Sequence, residues 1–147
     1  MDNSKQTKVK ILLIEDNPGD VRLTKEALTE SKLSNELIVM NDGVEALKLL
    51  RREVNNPDYT LPDIILLDLN LPKKDGREVL AEIKSDDKLK KIPVVILTIS
   101  KAEEDILRSY NLHANCYITK PIDFHQFIKV VKSIENFWFT IVKLPPK

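Results

Sequence analysis

Short apolar runs alternate with longer amphipathic segments along the chain, and this alternation restricts the fold more than any other feature of the sequence. The apolar runs predict five β-strands, at residues 9–14, 36–40, 63–69, 93–98 and 115–119. Four of them contain near-continuous Ile, Leu or Val residues, as in IILL and VVIL. Such strands are typical of a parallel sheet covered on both faces, whereas a half-exposed antiparallel sheet alternates polar with apolar residues.

The segments between these strands predict helices. The first begins at Asn17-Pro18, a capping side chain followed by proline at the first helical position. The others are predicted at residues 43–54, 76–85, 102–110 and 123–139. Strict alternation with right-handed crossovers gives an α/β fold with a doubly wound, five-stranded parallel sheet of the flavodoxin-like type, strand order 2-1-3-4-5. The functional crevice of such a sheet lies at the carboxyl ends of its strands.

The composition fits one soluble domain. A chain of 147 residues with 42% hydrophobic residues can build a substantial core. The 23 Lys and Arg residues balance the 23 Asp and Glu residues, so no net field favours nucleic acid or an anionic membrane. No apolar run approaches the roughly 18 residues that span a bilayer. Cys116 has no partner for an internal disulfide and the start, MDNSKQTKVK, is polar, so we expect a cytoplasmic protein.

Acidic side chains stand at the ends of two predicted strands. Glu15 and Asp16 follow the first strand, and Asp68 lies near the end of the third, within PDIILLDLNLP. Any one of them could simply end a strand and cap the next helix. Carboxylates that converge at one edge of a sheet repel each other unless they are protonated or bind a cation, and oxygen ligands favour Mg²⁺. The three residues together therefore predict a magnesium site.

Two further strand ends carry groups that suit an anionic phosphoryl group. Thr98 closes the fourth strand, VVILT, with a hydroxyl donor, and Lys120 follows the fifth strand, CYIT, with an ammonium group. Either residue alone is ordinary surface chemistry. Their combination with the three carboxylates indicates a site for a phosphoryl group.

This combination resembles the receiver domain of bacterial two-component response regulators. The resemblance covers about residues 8–135, and DLNLPKKDG, residues 68–76, is its most specific segment. It implies that Asp68 accepts a phosphoryl group from the histidine of a sensor kinase. It also implies that Asp16, Asp68 and the backbone carbonyl of Asn70 bind Mg²⁺, with Glu15 assisting through water. Such a protein is not an enzyme in the usual sense, because it is a phosphoacceptor that assists its own phosphorylation.

The resemblance assigns other residues to a switch. Lys120, joined to Pro121 by a cis peptide bond, pairs with the phosphoryl group, and Thr98 moves to hydrogen-bond it. Tyr117 resembles an aromatic residue that turns inward when Thr98 moves, although a half-buried strand tyrosine explains its position as well. Phosphorylation then shifts a two-state equilibrium at the fourth helix and fifth strand. The residue after Thr98 is commonly small in this family, whereas this chain has Ile99, which we expect to lengthen the phosphorylated lifetime.

The C-terminal part predicts how the protein transmits its state. The residues after Pro121 suffice for a helix and a tail, so we expect residues 1–147 to form a single receiver domain without an output domain. Apolar side chains of IENFWFTIVKLPPK occupy more than one helical face. We expect residues 136–147 and the last helix to form a homodimer interface, although the tail could instead pack on its own domain. YNLHANCYITK, SIENFW and the proline-bearing tail resemble single-domain response regulators paired with phytochromes, which implies a phytochrome-type sensor histidine kinase as partner.

Other classes of protein fit the sequence less well. A degenerate receiver would be a phosphorylation-independent interaction module, but here the set of five site residues is intact. An aspartyl-phosphate phosphatase generally has a second acid two residues after the nucleophile, where this chain has Asn70. A nucleotide-binding enzyme requires a Gly-rich phosphate loop, and the three glycines of this chain are far apart.

Overall fold

The computed structural model describes residues 8–30, 34–109, 114 and 116–133, which form five strands and five helices in strict alternation. The strands are β1 (Val9–Ile14), β2 (Asn35–Met40), β3 (Ile64–Asp68), β4 (Val94–Thr98) and β5 (Cys116–Thr119). The helices are α1 (Pro18–Glu30), α2 (Gly43–Val54), α3 (Gly76–Ser85), α4 (Lys101–Ser109) and α5 (Phe124–Ser133). The predicted α/β architecture is confirmed.

All neighbouring strands are parallel, and their order is β2-β1-β3-β4-β5, as predicted. Strand β3 lies at the centre, between β1 and β4. Every residue of β3 and β4 is buried, which explains why these strands read as continuous apolar runs: helices cover both of their faces.

Several predicted strand ends were wrong by one residue, and hydrogen bonds explain the difference. Leu69 was predicted to end the third strand, but its carbonyl accepts the N–H of Gly76 at 2.9 Å and so belongs to the following loop. Asp63 was predicted to begin the same strand, but its side chain accepts the backbone N–H of Lys10 at 2.8 Å. Pro93 has no N–H to donate, so β4 begins after it. The second strand begins one residue earlier than predicted.

Side-chain caps define the beginnings of the helices. Asn17, Asp42 and Asp75 accept backbone N–H groups from the first turns of α1, α2 and α3. Such caps satisfy N–H groups that have no partner within a helix. Helices α2 and α3 have the predicted bounds. Helix α4 begins at Lys101, one residue earlier than predicted, because the Ser100 hydroxyl accepts an N–H from its first turn.

The sheet separates two apolar clusters because successive strand residues point to opposite faces. One cluster packs α2, α3 and α4 against residues such as Ile65 and Ile96. The other packs α1 and α5 against residues such as Ile64 and Val95, and the fully buried Phe127 lies within it. Each face of the sheet therefore has its own core.

Some predictions concern parts of the chain outside the described residues. These are the predicted homodimer surface in the tail, residues 136–147, and the predicted helix and strand ends at positions 110, 115 and 139. Across the described part of the chain, no helix combines the length and the apolar character needed to cross a bilayer.

Candidate functional site

The carboxyl edge of the sheet brings the predicted site residues together. Glu15 and Asp16 follow β1, Asp68 ends β3, Thr98 ends β4 and Lys120 follows β5. Because all these strands are parallel, their carboxyl ends meet at the same edge. Strand β3 is central, so the Asp68 side chain lies in the middle of the group.

Three carboxylates converge beside the end of β3. Glu15 is fully buried, Asp68 is 4% exposed and Asp16 faces solvent, and one oxygen of each lies within 4.8 Å of the others. Burial, followed by the neighbouring Asp68, raises the pKa of Glu15 to about 7. This much buried negative charge calls for a cation, and oxygen ligands suit a hard divalent ion. The three residues form a donor set that fits a divalent metal.

Lys120 brings positive charge to this cluster. Its ammonium group donates to Asp20 Oδ2 at 3.0 Å, Glu15 Oε1 at 3.1 Å and Asp68 Oδ2 at 3.2 Å. Burial by itself lowers the pKa of Lys120, but the hydrogen bonds and charges of these carboxylates outweigh it and raise that pKa above its ordinary value. The Lys120-Pro121 bond is cis, as the family resemblance implies. The ammonium group of Lys120 is thus held beside the Asp68 carboxylate.

Asp20 is a residue of this site that the strand-end reasoning missed. It lies in the first turn of α1, its backbone N–H donates to Asn17 Oδ1 at 2.9 Å, and its side chain is 30% exposed. A signal was present in the sequence, because Asp20 is an acid in the first turn of the helix that begins just after Asp16. Only the structure shows that its carboxylate reaches Lys120, which follows β5.

The loop between β3 and α3 packs closely around Asp68. The Asn70 N–H donates to Asp68 Oδ1 at 3.1 Å, so Asn70 and Lys120 hold different oxygens of the carboxylate. A Cβ on Gly76 would lie 2.4 Å from Leu69 Cα and 2.6 Å from the Asp68 carbonyl oxygen, so α3 can begin here only with glycine. The role of the Asn70 carbonyl as a metal ligand stays a prediction.

Thr98 connects the site to β5. Its fully buried side chain donates a hydrogen bond to the Ile118 carbonyl at 3.4 Å, and its own carbonyl accepts the Lys120 N–H at 2.7 Å. The first distance lies beyond the usual range for a hydroxyl donor. The next residue, Ile99, has a side chain that is 65% exposed, while its N–H donates to Glu103 Oε1 at 2.7 Å and fixes the turn into α4.

Tyr117 of β5 is half-buried and contacts a charged residue of α4. The Arg108 guanidinium carbon lies 4.5 Å from the centroid of the tyrosine ring, within the range of a cation–π interaction. Glu104, which is buried, accepts from Arg108 Nε and pairs with its Nη2, each at 2.8 Å. This contact of Arg108 with Tyr117 was also missed, because the separation of the two residues along the chain does not indicate it.

The fold, the acidic cluster and the strand-end lysine together define a class of protein. The chain belongs to the response regulator receiver domain family, whose model matches residues 11–132. Members of this family are signalling proteins, and they typically have no enzymatic activity of their own.

Comparison with individual proteins narrows the class. The chain is 50% identical to the response regulator Rcp1 of Synechocystis sp. over 144 residues, 98% of this chain and 97% of Rcp1. A Mn²⁺-bound structure of Rcp1 matches with a TM-score of 0.67 over 93% of this chain and 99% of that one. The phosphorylated cyanobacterial phytochrome response regulator RcpA is 54% identical, with a TM-score of 0.70 over 95% and 99% of the two chains. The bacteriophytochrome response regulator RtBRR is 45% identical, with a TM-score of 0.81 over 95% and 85%. The resemblance to phytochrome-associated response regulators is confirmed.

Proposed function

We propose that the protein accepts a phosphoryl group on Asp68 from the phosphohistidine of a phytochrome-type sensor histidine kinase, and that it signals by a change in its protein-binding surface. In this proposal Glu15 (through water), Asp16, Asp68 and the carbonyl of Asn70 hold Mg²⁺. The observation that carries it is the contact of Lys120 with Asp68 Oδ2 at 3.2 Å, beside the carboxylate cluster. A lysine and a donor set for a divalent ion at one aspartate suit the arrival of a dianionic group.

In the proposed reaction Asp68 is the nucleophile. Asn70 and Lys120 each contact one oxygen of its carboxylate, so the orientation of the group is restrained. One Asp68 oxygen forms a bond to phosphorus, the bond between phosphorus and the kinase histidine nitrogen breaks, and that nitrogen keeps the electron pair. Mg²⁺, when bound, offsets negative charge on the transferred oxygens. Lys120 adds a second positive charge, so positioning and electrostatics supply most of the rate.

The proposed switch begins at Thr98. Its hydroxyl bond to the Ile118 carbonyl is long, at 3.4 Å, so Thr98 loses little when it turns towards phosphoryl oxygens. Ile118 neighbours Tyr117, whose ring contacts Arg108 of α4. Movement of Thr98 and Tyr117 therefore reaches the outer surface of α4, and we assign both residues to the switch.

A chemical phosphodonor tests the phosphoacceptor. Incubation with acetyl phosphate and Mg²⁺ should add one phosphoryl group to the protein, seen in the intact mass, and chelation of the metal should suppress the addition. Asp68→Asn should not be labelled. Asp87→Asn, which changes an aspartate whose side chain is 94% exposed, is the matched control and should label like the wild type. An unlabelled wild type would indicate a degenerate receiver that acts as a phosphorylation-independent interaction module.

The relatives support the choice of kinase. RcpA and RtBRR are a phytochrome and a bacteriophytochrome response regulator, and this chain is 54% and 45% identical to them. Phosphoryl transfer from a phosphorylated phytochrome-type kinase should therefore be faster than transfer from an unrelated histidine kinase. Equal rates from the two kinases would contradict this assignment.

We further propose a single receiver domain that works in the cytoplasm as a homodimer, joined through the last helix and residues 136–147. The apolar surplus of that tail supports the interface. The mass in solution of the full chain and of a chain shortened at residue 135 tests it. A monomeric full-length chain would refute the homodimer.

A further inference from the structure

The ammonium group of Lys120 divides its hydrogen bonds among carboxylates of two kinds. An ammonium has three N–H donors, and Glu15, Asp20 and Asp68 each lie within hydrogen-bond distance of it. Glu15 and Asp68 also belong to the cluster that fits a divalent metal, whereas the members of that cluster among the described residues do not include Asp20. Two acceptors of Lys120 therefore have a second task, and Asp20 does not.

This division matters once the site is loaded. When Glu15 and Asp68 share their negative charge with a divalent cation, they attract the ammonium group less, and the cation itself repels it. Phosphorylation then uses an oxygen of Asp68 for the bond to phosphorus. Asp20 lies outside the acidic cluster, so its carboxylate takes part in neither change and stays available to the ammonium group.

Asp20 is also held firmly enough to act as an anchor. It lies in the first turn of α1, where the Asn17 side chain accepts its backbone N–H at 2.9 Å. Its 3.0 Å contact with the ammonium group of Lys120 is between side chains that are 30% and 14% exposed. The pair is thus largely shielded from water, which strengthens a charge-assisted hydrogen bond.

We propose that Asp20 is a positioning residue for Lys120, and that its carboxylate keeps the ammonium group at the phosphorylation site after Glu15 and Asp68 have turned to the metal and the phosphoryl group. This inference rests on the proposed function and deepens it. A purely electrostatic role has the opposite sign, because removal of a negative charge would favour an anionic phosphodonor and speed the reaction. If Asp20 positions Lys120, its loss should instead slow phosphorylation.

Asp20→Asn in the full chain separates the two roles. With acetyl phosphate at saturating Mg²⁺, its maximal rate of phosphorylation should fall about tenfold, equivalent to ~1.4 kcal/mol, while the half-saturating donor concentration stays unchanged. Asp20→Glu keeps the carboxylate and should restore most of the rate. Glu26→Gln removes an exposed charge further along α1 and is the matched control with wild-type rate.

A second readout follows Lys120 directly. In protein bound to Mg²⁺ and beryllofluoride, a phosphoryl analogue, nitrogen-15 NMR should show slower hydrogen exchange at the Lys120 ammonium in the wild type and Asp20→Glu than in Asp20→Asn. A rate for Asp20→Asn equal to or above that of the wild type overturns the inference. So does a slow Asp20→Asn that Asp20→Glu leaves unrescued and whose Lys120 exchange is unchanged. A wild type that acetyl phosphate does not label overturns the proposed function itself.

Discussion

Two half-buried lysines at opposite edges of the sheet differ in how their charge is balanced. At the amino edge, Lys10 of β1 donates to both oxygens of Glu53 at 3.4 Å and to the Thr60 carbonyl. At the carboxyl edge, Lys120 contacts three carboxylates, and a fourth, that of Asp16, belongs to the same acidic cluster. The two lysine side chains are almost equally buried, at 12% and 14% exposed.

The two lysine side chains are equally buried, but the number of carboxylates around them differs. This difference distinguishes a structural ion pair from the proposed functional site. At the amino edge the ammonium group of Lys10 forms an ion pair with Glu53, and the Asp63 carboxylate accepts the backbone N–H of Lys10. The carboxyl edge keeps a surplus of negative charge that a further cation can relieve. Burial, followed by the neighbouring Asp68, raises the pKa of Glu15 there. Because the two lysines are equally buried, the surplus charge distinguishes the edge at which we propose that a ligand binds, and the predictions below test this difference.

Lys120→Met should have the largest effect. Loss of the Lys120 charge beside Asp68 should slow phosphorylation by acetyl phosphate about 100-fold. This is a usual loss for a group that stabilises developing charge. Without metal the remaining carboxylates also repel one another, so the free energy of unfolding in a chelator should fall by about 3 kcal/mol. Added Mg²⁺ should recover it by binding the native state. Denaturant titrations with and without Mg²⁺ measure this, and a loss that Mg²⁺ leaves unchanged would contradict the surplus-charge interpretation.

Lys10→Met should reduce stability without affecting phosphorylation. It leaves Glu53, whose side chain is 4% exposed, without its partner, so the free energy of unfolding should fall by about 3 kcal/mol. The loss should be the same in Mg²⁺ and in chelator, and Glu53→Gln in the same chain should recover part of it. The same denaturant titrations and the acetyl phosphate assay provide the test. A loss of unfolding free energy that depends on Mg²⁺ would show that Lys10 and Lys120 do not differ in this respect.

Gly76→Ala should disturb the carboxyl edge through the backbone. The added Cβ would lie 2.4 Å from Leu69 Cα, so the chain must shift, at a cost of about 2 kcal/mol of unfolding free energy. Because the same Cβ approaches the Asp68 carbonyl, labelling by acetyl phosphate should also slow. Gly19→Ala is the control, since its Cβ meets the end of the Asn17 side chain at 3.2 Å, and it should change stability by less than about 1 kcal/mol. Similar losses in both variants would show that the close approach at Gly76 is unimportant.

Ile99→Ala should have the smallest effect, confined to the lifetime of the phosphorylated state. The side chain is 65% exposed, so stability should change by less than about 0.5 kcal/mol. We expect Ile99 to shield the phosphoryl group from water, so dephosphorylation of the variant should become a few-fold faster. Ile106→Ala, which removes a side chain that is 57% exposed on α4, should decay like the wild type. Decay of the intact-mass signal measures both, and equal decay of Ile99→Ala and the wild type would refute the shielding role.

Local patterns determined how much of the fold could be predicted. The amphipathic segments of α2 and α3 are local, so the bounds of these helices could be predicted, and in the structure Asp42 and Asp75 cap them. The strand order followed from the doubly wound topology that strict alternation implies. The end of β3 could not be predicted in this way. The Leu69 carbonyl leaves the sheet and accepts the N–H of Gly76, which lies seven positions further along the chain. That choice depends on where α3 packs.

The site divides in the same way. Glu15, Asp16, Asp68, Thr98 and Lys120 could be predicted to meet because parallel strands end at one edge. Their assigned roles stay predictions that the labelling experiments test. The contacts Asp20–Lys120 and Arg108–Tyr117 join a helix to a strand end or strand, and such contacts depend on helix packing, which residue spacing does not encode.

Strand β5 has a consequence for how such a protein diversifies. Tyr117 packs with the cluster formed by α2, α3 and α4, whereas its neighbour Ile118 belongs to the cluster formed by α1 and α5. Substitutions on α5 therefore act in a different core from those around Tyr117. In evolutionary terms, substitutions in the core beneath α5 can accumulate without altering the packing around Tyr117 on the other face of the sheet.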